Sequence, residues 1–361
     1  FELLAETASS MSPRQKSTGP LNGSPLPAIL NFPSLLRKKT SPSLARFTGL
    51  IFIINPPFTS REYIIIIRHM RKVNNPDISI IILSYKSKEH LKVLLPSVFA
   101  SQTRLTFEVI VVDNDSQDGT VEWLNAWNIV HGQSGLKIIQ NQNTGFAHGN
   151  NLGIKFATGS YVLLINPDTK LEQKTLQTMY DFMENRADVG IAGCKVIKAN
   201  GSLDLACRRR FPNPWNSFLR IFGVSNKNYN MLDTDENESQ EVDSVMGAFL
   251  LIKKSVIEKI GMLDESFFMY GEDLDWCWRA KEAGFKVWYY PKAFITHYKG
   301  SSSAKVPFKA LKWFHEAMWI FYKKHYAGKY FFLFNLLVYI GIYSRLAVLI
   351  VFNHFRTNPH V

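Results

Sequence analysis

From Asp77 onward the chain alternates short apolar runs with longer amphipathic stretches. ISIIILSY (78–85), FEVIVVDN (107–114), LKIIQN (136–141) and YVLLINPD (161–168) are apolar and rich in β-branched residues. Runs of this kind suit strands covered on both faces. Between them, residues 88–101, 120–127, 146–157 and 171–185 carry the helical pattern. The β-α repetition predicts an α/β domain with a doubly wound, mostly parallel sheet and flanking helices. In such sheets ligands bind beyond the carboxyl ends of the strands. The polar motifs fall there: Ser84-Tyr85, Asp113-Asn114-Asp115 and Asn166-Pro167-Asp168 each close an apolar run.

Both ends of the chain break this pattern. Residues 1–69 are rich in Ser, Pro, Thr and Lys, with apolar bursts far shorter than the roughly 20 residues that cross a bilayer. They read as a disordered extension or a misplaced start, with Met70 opening the folded part; a membrane-proximal arm is the alternative. The C-terminal segment, 304–361, reads as a helical tail. Residues 309–329 mix aromatics with Lys and His at helical spacing, so Trp313, Met318, Trp319 and Phe321 could meet a bilayer interface while Lys323 and Lys324 face phosphates. Residues 330–352 are long and apolar enough to span, but Asn335 and Arg345 interrupt them. An in-plane pair of membrane helices is expected, with a span or a helix packed on protein as alternatives.

Charge supports the same division. Of the formal net charge of +12, residues 1–69 carry +5 and residues 299–361 carry +8, leaving the centre at −1. A nucleic-acid-binding fold would carry its basic patch on the domain itself. Basic ends flanking apolar segments suit an anionic membrane surface. The three cysteines form no CxxC pair, which gives no zinc site and indicates free thiols in a reducing compartment. No GxGxxG follows the first strand and no GxxxxGK[ST] occurs, which disfavours a dinucleotide-binding domain and a P-loop NTPase.

The densest chemistry lies in FMYGEDLDWCWRAKEAG (268–284). Glu272, Asp273 and Asp275 sit within four residues, among Trp276, Trp278 and Arg279. Carboxylates this close raise one another's proton affinity or recruit a cation. Acids at a helix N-terminus complementing its dipole are the plainer explanation. VVDNDSQDGT (111–120) could hold a base or ribose, or be a turn and cap. QNTGFAHGNNLGIKFATG (142–159), with Asn143 and Gly145, opens a glycine-rich helix start that lets backbone approach an anion. Asp168 after a strand could hold a hard divalent ion. Arg208, Arg209 and Arg210 could grip a phosphate or line a solvated loop.

Taken in order, SY, VVDNDSQDGT, NTGFAHGNNLGI, LLINPD, VMGAFLLIKK, FMYGEDLDWCWRAKEAG and HYKGSS resemble glycosyltransferase family 2, of the GT-A fold, in its rhamnosyltransferase-like branch. The resemblance covers Ile78 to about Ser303, so residues 70–303 are expected to be the catalytic domain. It implies an inverting transfer of a sugar, rhamnose as first guess, from a dTDP- or UDP-sugar. The acceptor would be a glycan or lipid-linked glycan in cell-surface polysaccharide synthesis, at the cytoplasmic face of the membrane. It implies donor-site residues at Ser84, Tyr85, Asp113, Asn143, Gly145, Asn166, Asp168, Gly247 and His297. Asp168 and His297 would hold Mg2+ or Mn2+. Asp273 would be the catalytic base, supported by Glu272 and Arg279. Two positions depart from the family pattern: Lys86 stands where Asn is common after SY, and Asn166-Pro167-Asp168 carries one carboxylate where two are usual. A nucleotidyltransferase and a non-catalytic glycan-assembly scaffold are the competing expectations.

Overall fold

The structure is a computed structural model that describes residues 50–51, 65–68, 75–131, 135–214, 228–298 and 307–355. Its strands are β1 (Leu50–Ile51), β2 (Ile65–Arg68), β3 (Ile78–Ser84), β4 (Phe107–Asn114), β5 (Leu136–Asn141), β6 (Tyr161–Ile165), β7 (Thr169–Leu171), β8 (Val189–Lys198), β9 (Gln240–Glu241), β10 (Phe249–Lys253) and β11 (Lys286–His297). Its helices are α1 (Lys88–Phe99), α2 (Thr120–Val130), α3 (Phe146–Lys155), α4 (Thr175–Glu184), α5 (Lys254–Ile260), α6 (Glu272–Glu282), α7 (Pro307–His325) and α8 (Phe332–His354).

The strands join one sheet in the order β1-β2-β5-β4-β3-β6-β10-β8-β11-β7, with β9 on β11. The expected parallel order holds through β5-β4-β3-β6. Strand β10 then runs antiparallel to β6 and β8, and β11 returns parallel to β8. Every residue of β3 is buried, and so is all of β4 after Phe107, because helices cover both faces. Their branched side chains form the core with Leu91, Leu94, Leu95, Met179 and Val256 from the helices.

Two local expectations change. The helix expected from Leu171 begins at Thr175, and Leu171 instead closes a strand over 169–171, in which Thr169 and Leu171 are buried and Lys170 between them is exposed, the period of a strand. Residues 65–68, within the expected 1–69 extension, form β2 on the open edge of β5, with Ile65 opposite Ile139. An isoleucine-rich segment supplies unpaired backbone to an edge that would otherwise lack a neighbour. Most of the expected 1–69 extension, like much of HYKGSS, lies outside the described residues.

Residues Leu44–Val361 form one compact unit, and α7 is fastened to α6 within it. Phe321 is buried against Trp278 and Phe211, and Trp313 stacks on Phe268 with ring centres 4.4 Å apart. Lys324 pairs with Asp264 and Asp275. Trp313 and Phe321 therefore pack on protein, a correction to the expected interfacial face, while Lys324 stays exposed beside its two carboxylates. Helix α8 folds back antiparallel on α7. Tyr322 donates to Asn335 at 2.6 Å, Trp319 meets Tyr339 edge-on, and Arg345 lies 2.6 Å from His315. Both polar interruptions of α8 thus face α7. The remainder is an exposed apolar surface, including Phe332 at 75% exposure, Leu337 at 66% and Phe352 at 61%.

Candidate active site

The carboxyl ends of β3 and β4 pair Ser84 with Asp113. Asp113 is buried and accepts from the Ser116 backbone N–H at 3.0 Å and from the Ser116 hydroxyl. Burial pushes its carboxyl up, and the Ser116 hydrogen bonds offset only part of that. Ser84 Oγ is buried with no partner among the described residues, an unmet group of the kind a ligand satisfies. Tyr85 is half-buried beside Lys86. Lys86, Asp115 and Gln117 all adopt positive φ, at 51°, 61° and 48°. Non-glycine residues rarely hold this conformation, and such strain gathers at functional sites.

Strand β5 leads to Asn143, which is exposed, and then to Gly145. Gly145 has φ +103°, and a Cβ there would lie 2.7 Å from the Phe268 carbonyl oxygen. The Phe146 N–H donates to that same oxygen at 2.6 Å. The start of α3 is thereby locked onto the loop that precedes Glu272. Asn141 donates to Asn114, and Asn114 donates to the Gly145 carbonyl, which ties both strand ends to the helix start.

Strand β7 pairs with the end of β11, Thr169 opposite His297, and this sets Asp168 beside the imidazole. His297 Nε2 lies 3.2 Å from Asp168, and Nδ1 lies 3.3 Å from Asp204. Burial would lower His297, but hydrogen bonds and charge from Asp168 and Asp204 outweigh it and lift it to about 9. Burial works against Asp168 as a carboxylate, and His297 more than compensates, so it sits below its usual range. Asp168 suits a hard ion such as Mg2+ or Mn2+, whereas His297, protonated between Asp168 and Asp204, would have to give up a proton before its imidazole joined such a site. No cluster of three His, Cys, Asp or Glu suited to a metal occurs among the described residues, so the protein alone would not fill the shell of such an ion.

Residues 247–248 join this edge to the acidic motif. The Asn166 N–H donates to the Ala248 carbonyl at 3.3 Å, and the Gly247 N–H donates to Asp273 Oδ2 at 3.1 Å. Glu272 and Asp273 open α6 after Tyr270 and Gly271, which take φ of 72° and 81°. Asp273 is almost buried. Its Oδ2 also receives Arg209 at 2.8 Å, and its Oδ1 receives the Leu274 N–H at 2.7 Å. Glu272 is buried with Oε2 unpartnered among the described residues, and burial, then the adjacent Asp273, pushes it up to about 8. Within the dense acidic motif the upward push thus falls on the first member.

Arg279 is not brought to Asp273. Four residues beyond Asp275, it pairs there at 2.8 Å and donates to the carbonyls of Ile260 and Met262. Helical spacing puts it over Asp275, six residues being too many to face Asp273. The arginine run is likewise redirected. Arg208 donates to Thr234 and Asp235, Arg210 pairs with Asp233, and Arg209 turns inward to Asp273. Asp204, Ser116 and the inward arginine are the members that the sequence did not single out in these places. Arg209 lay within a flagged basic run; nothing local marks Asp204.

Residues 79–261, about half of the chain, match the family described as Glycosyl transferase family 2. The chain belongs to glycosyl transferase family 2. Among curated family relatives it is 29% identical over 215 residues to the low-salt glycan biosynthesis hexosyltransferase Agl10 of Haloferax volcanii, 58% of this chain and 64% of that protein. It is 26% identical to the rhamnosyltransferase WbbL of Escherichia coli, over 65% of this chain and 88% of that one. It is 23% identical to the N-acetylglucosaminyl-diphospho-decaprenol L-rhamnosyltransferase of Mycobacterium tuberculosis, over 69% and 85%. The match therefore spans less than two thirds of Agl10 and most of the two rhamnosyltransferases. Among solved structures, the mannosyltransferase PcManGT of Pyrobaculum calidifontis, in complex with GDP-Man and Mn2+, shares the fold at TM-score 0.51 and 15% identity, covering 80% of this chain and 78% of that one.

Proposed function

We propose that the protein is an inverting glycosyltransferase that moves a sugar from a nucleoside-diphosphate donor to a hydroxyl of a glycan or lipid-linked glycan. The observation that carries this function is the backbone link through Gly247 and Ala248, which sets Asp273 against the edge bearing Asn166 and Asp168. Asp113 and the unmet Ser84 hydroxyl receive the nucleoside. Asn143 and the Gly145 helix start lie along the phosphates. Asp168, with His297 once deprotonated, would hold a divalent cation, which would offset negative charge on the departing diphosphate. Asp273 takes the proton of the acceptor hydroxyl as that oxygen attacks the anomeric carbon from the face opposite the leaving group. The bond to diphosphate breaks as the new glycosidic bond forms, which inverts configuration.

The rhamnosyltransferase relatives favour a dTDP-rhamnose donor, with UDP-sugars next. The relative named for a decaprenol-linked substrate, the exposed face of α8 and the basic end of the chain together favour a lipid-linked acceptor at the cytoplasmic face of a membrane. The free, buried cysteines are in keeping with a reducing compartment.

The test is a thermal-shift panel with dTDP, UDP, GDP and ADP, each with and without Mn2+. Ligands that bind the folded state raise the melting temperature by mass action. A Mn2+-dependent rise with dTDP or UDP is expected. A folded protein that no nucleotide stabilises would sink the donor-site assignment.

A further inference from the structure

The inward turn of Arg209 is not explained by donor binding. Its side chain is 10% exposed, too enclosed to grip a phosphate. The backbone at Arg209 bridges Ser244, so the guanidinium lies under the segment leading to Gly247. Its Nη2 donates to Ser244 Oγ at 3.1 Å, to the Val245 carbonyl at 2.8 Å and to Asp273 Oδ2 at 2.8 Å. Burial opposes the Arg209 charge and Asp273 more than restores it.

We propose that Arg209 is a positioning residue for the transfer reaction, pinning one oxygen of Asp273 so that the other is presented to the acceptor hydroxyl. The inference rests on Asp273 being the base. A carboxylate oxygen offers two lone-pair sites. Oδ2 fills both, with Arg209 and the Gly247 N–H. Oδ1 receives one fixed donor, the Leu274 N–H, and keeps one site open. Oδ1 is therefore the atom that takes the proton. Arg209 and Gly247 act as a pair: each holds Oδ2, and the 244–247 segment holds Arg209. Rotation of the carboxylate, which would exchange the two oxygens, would break both bonds.

The experiment is a double-mutant cycle on the full chain, using dTDP-rhamnose and UDP-glucose as probes and reading release of the nucleoside diphosphate. Asp273→Asn is expected to lose about 100-fold or more in turnover. Arg209→Met is expected to lose about 10-fold or more with the donor KM within about twofold, and to cost less than about twofold further in the Asp273→Asn background. Arg209→Met leaves a buried carboxylate unpaired, so Arg209→Lys, which keeps the charge, is carried through the same cycle. It is expected to lower turnover several-fold beside Asp273 and not beside Asn. Melting curves establish that each protein is folded. Losses that multiply independently in the double variants would overturn the inference and leave the base assignment standing. Full turnover in Asp273→Asn would instead overturn the base itself.

Discussion

The Asp275 carboxylate lies 2.9 Å from His325 Nε2, and this contact fastens the helix that carries Asp273 to the end of α7. Lys324 and Arg279 complete the shell, each at 2.8 Å. Burial opposes the Asp275 charge, but His325, Lys324 and Arg279 outweigh it and hold the carboxyl at about 2. A carboxyl depressed on folding stabilises the protein above its unfolded value, near 3.8, and loses that stability as pH falls toward 2. Asp275→Ala is expected to cost about 3 kcal/mol at pH 7, because it removes the fully buried carboxylate that His325, Lys324 and Arg279 share. Asp275→Asn should cost less, and its melting deficit should shrink between pH 5 and about pH 3. An equal deficit at both pH values would contradict the ionised network.

Asp273→Asn should lower sugar transfer by roughly a hundred- to ten-thousand-fold, about 3–5 kcal/mol in the barrier. Steady-state turnover with a competent donor measures it. A loss under tenfold would remove Asp273 from the role of base.

Glu272 makes the opposite pH contribution. Its folded value near 8 exceeds the unfolded 4.5, so the protonated form is the stabilising one. That stability is complete below about pH 4.5 and fades as pH rises through 8. Glu272→Gln should melt close to the parent at pH 5 and above it at pH 8.5. Parallel melting curves across that range would show that Glu272 is charged in the fold.

Asp168→Ala and His297→Ala should each abolish the Mn2+-dependent part of the nucleotide thermal shift. EDTA should do the same to the parent protein. A shift that survives both substitutions would move the cation elsewhere.

The apolar face of α8 should bind anionic vesicles, and replacing Leu333 and Leu337 with Asp should release the protein into the supernatant of a sedimentation assay. Both side chains are exposed. Binding should weaken with added salt, since Lys323 and Lys329 lie exposed near the helix turn. Salt-insensitive binding that tolerates both aspartates would count against a membrane surface.

Much of the fold could be read from the order of apolar runs. Buried strands such as 78–84 and 107–114 are continuous and β-branched, and their ends placed Ser84, Asp113 and Asp168 at one edge. Short elements were harder. Three residues, 169–171, declare a strand only through partners 124 to 128 residues away, from Leu171 opposite Ile295 to Thr169 opposite His297. The site divides in the same way. Glu272 and Asp273 announce themselves by local density. Arg209 and Asp204 become meaningful only when β8, β11 and the 244–247 segment bring distant chain together. Arg279 lies away from Asp273 for a local reason, since its partner one turn back, at i−4, is Asp275.

The match to the family ends at residue 261, while the carboxylate proposed to do the chemistry stands at 273 and its fastening extends to 325. The recognisable module and the working unit are thus different lengths of chain. A tail exchanged into this chain would have to bring its own counterpart of the Asp275–His325 joint. In this chain a change in the tail is thereby felt at the helix that carries Asp273: the tail cannot drift alone.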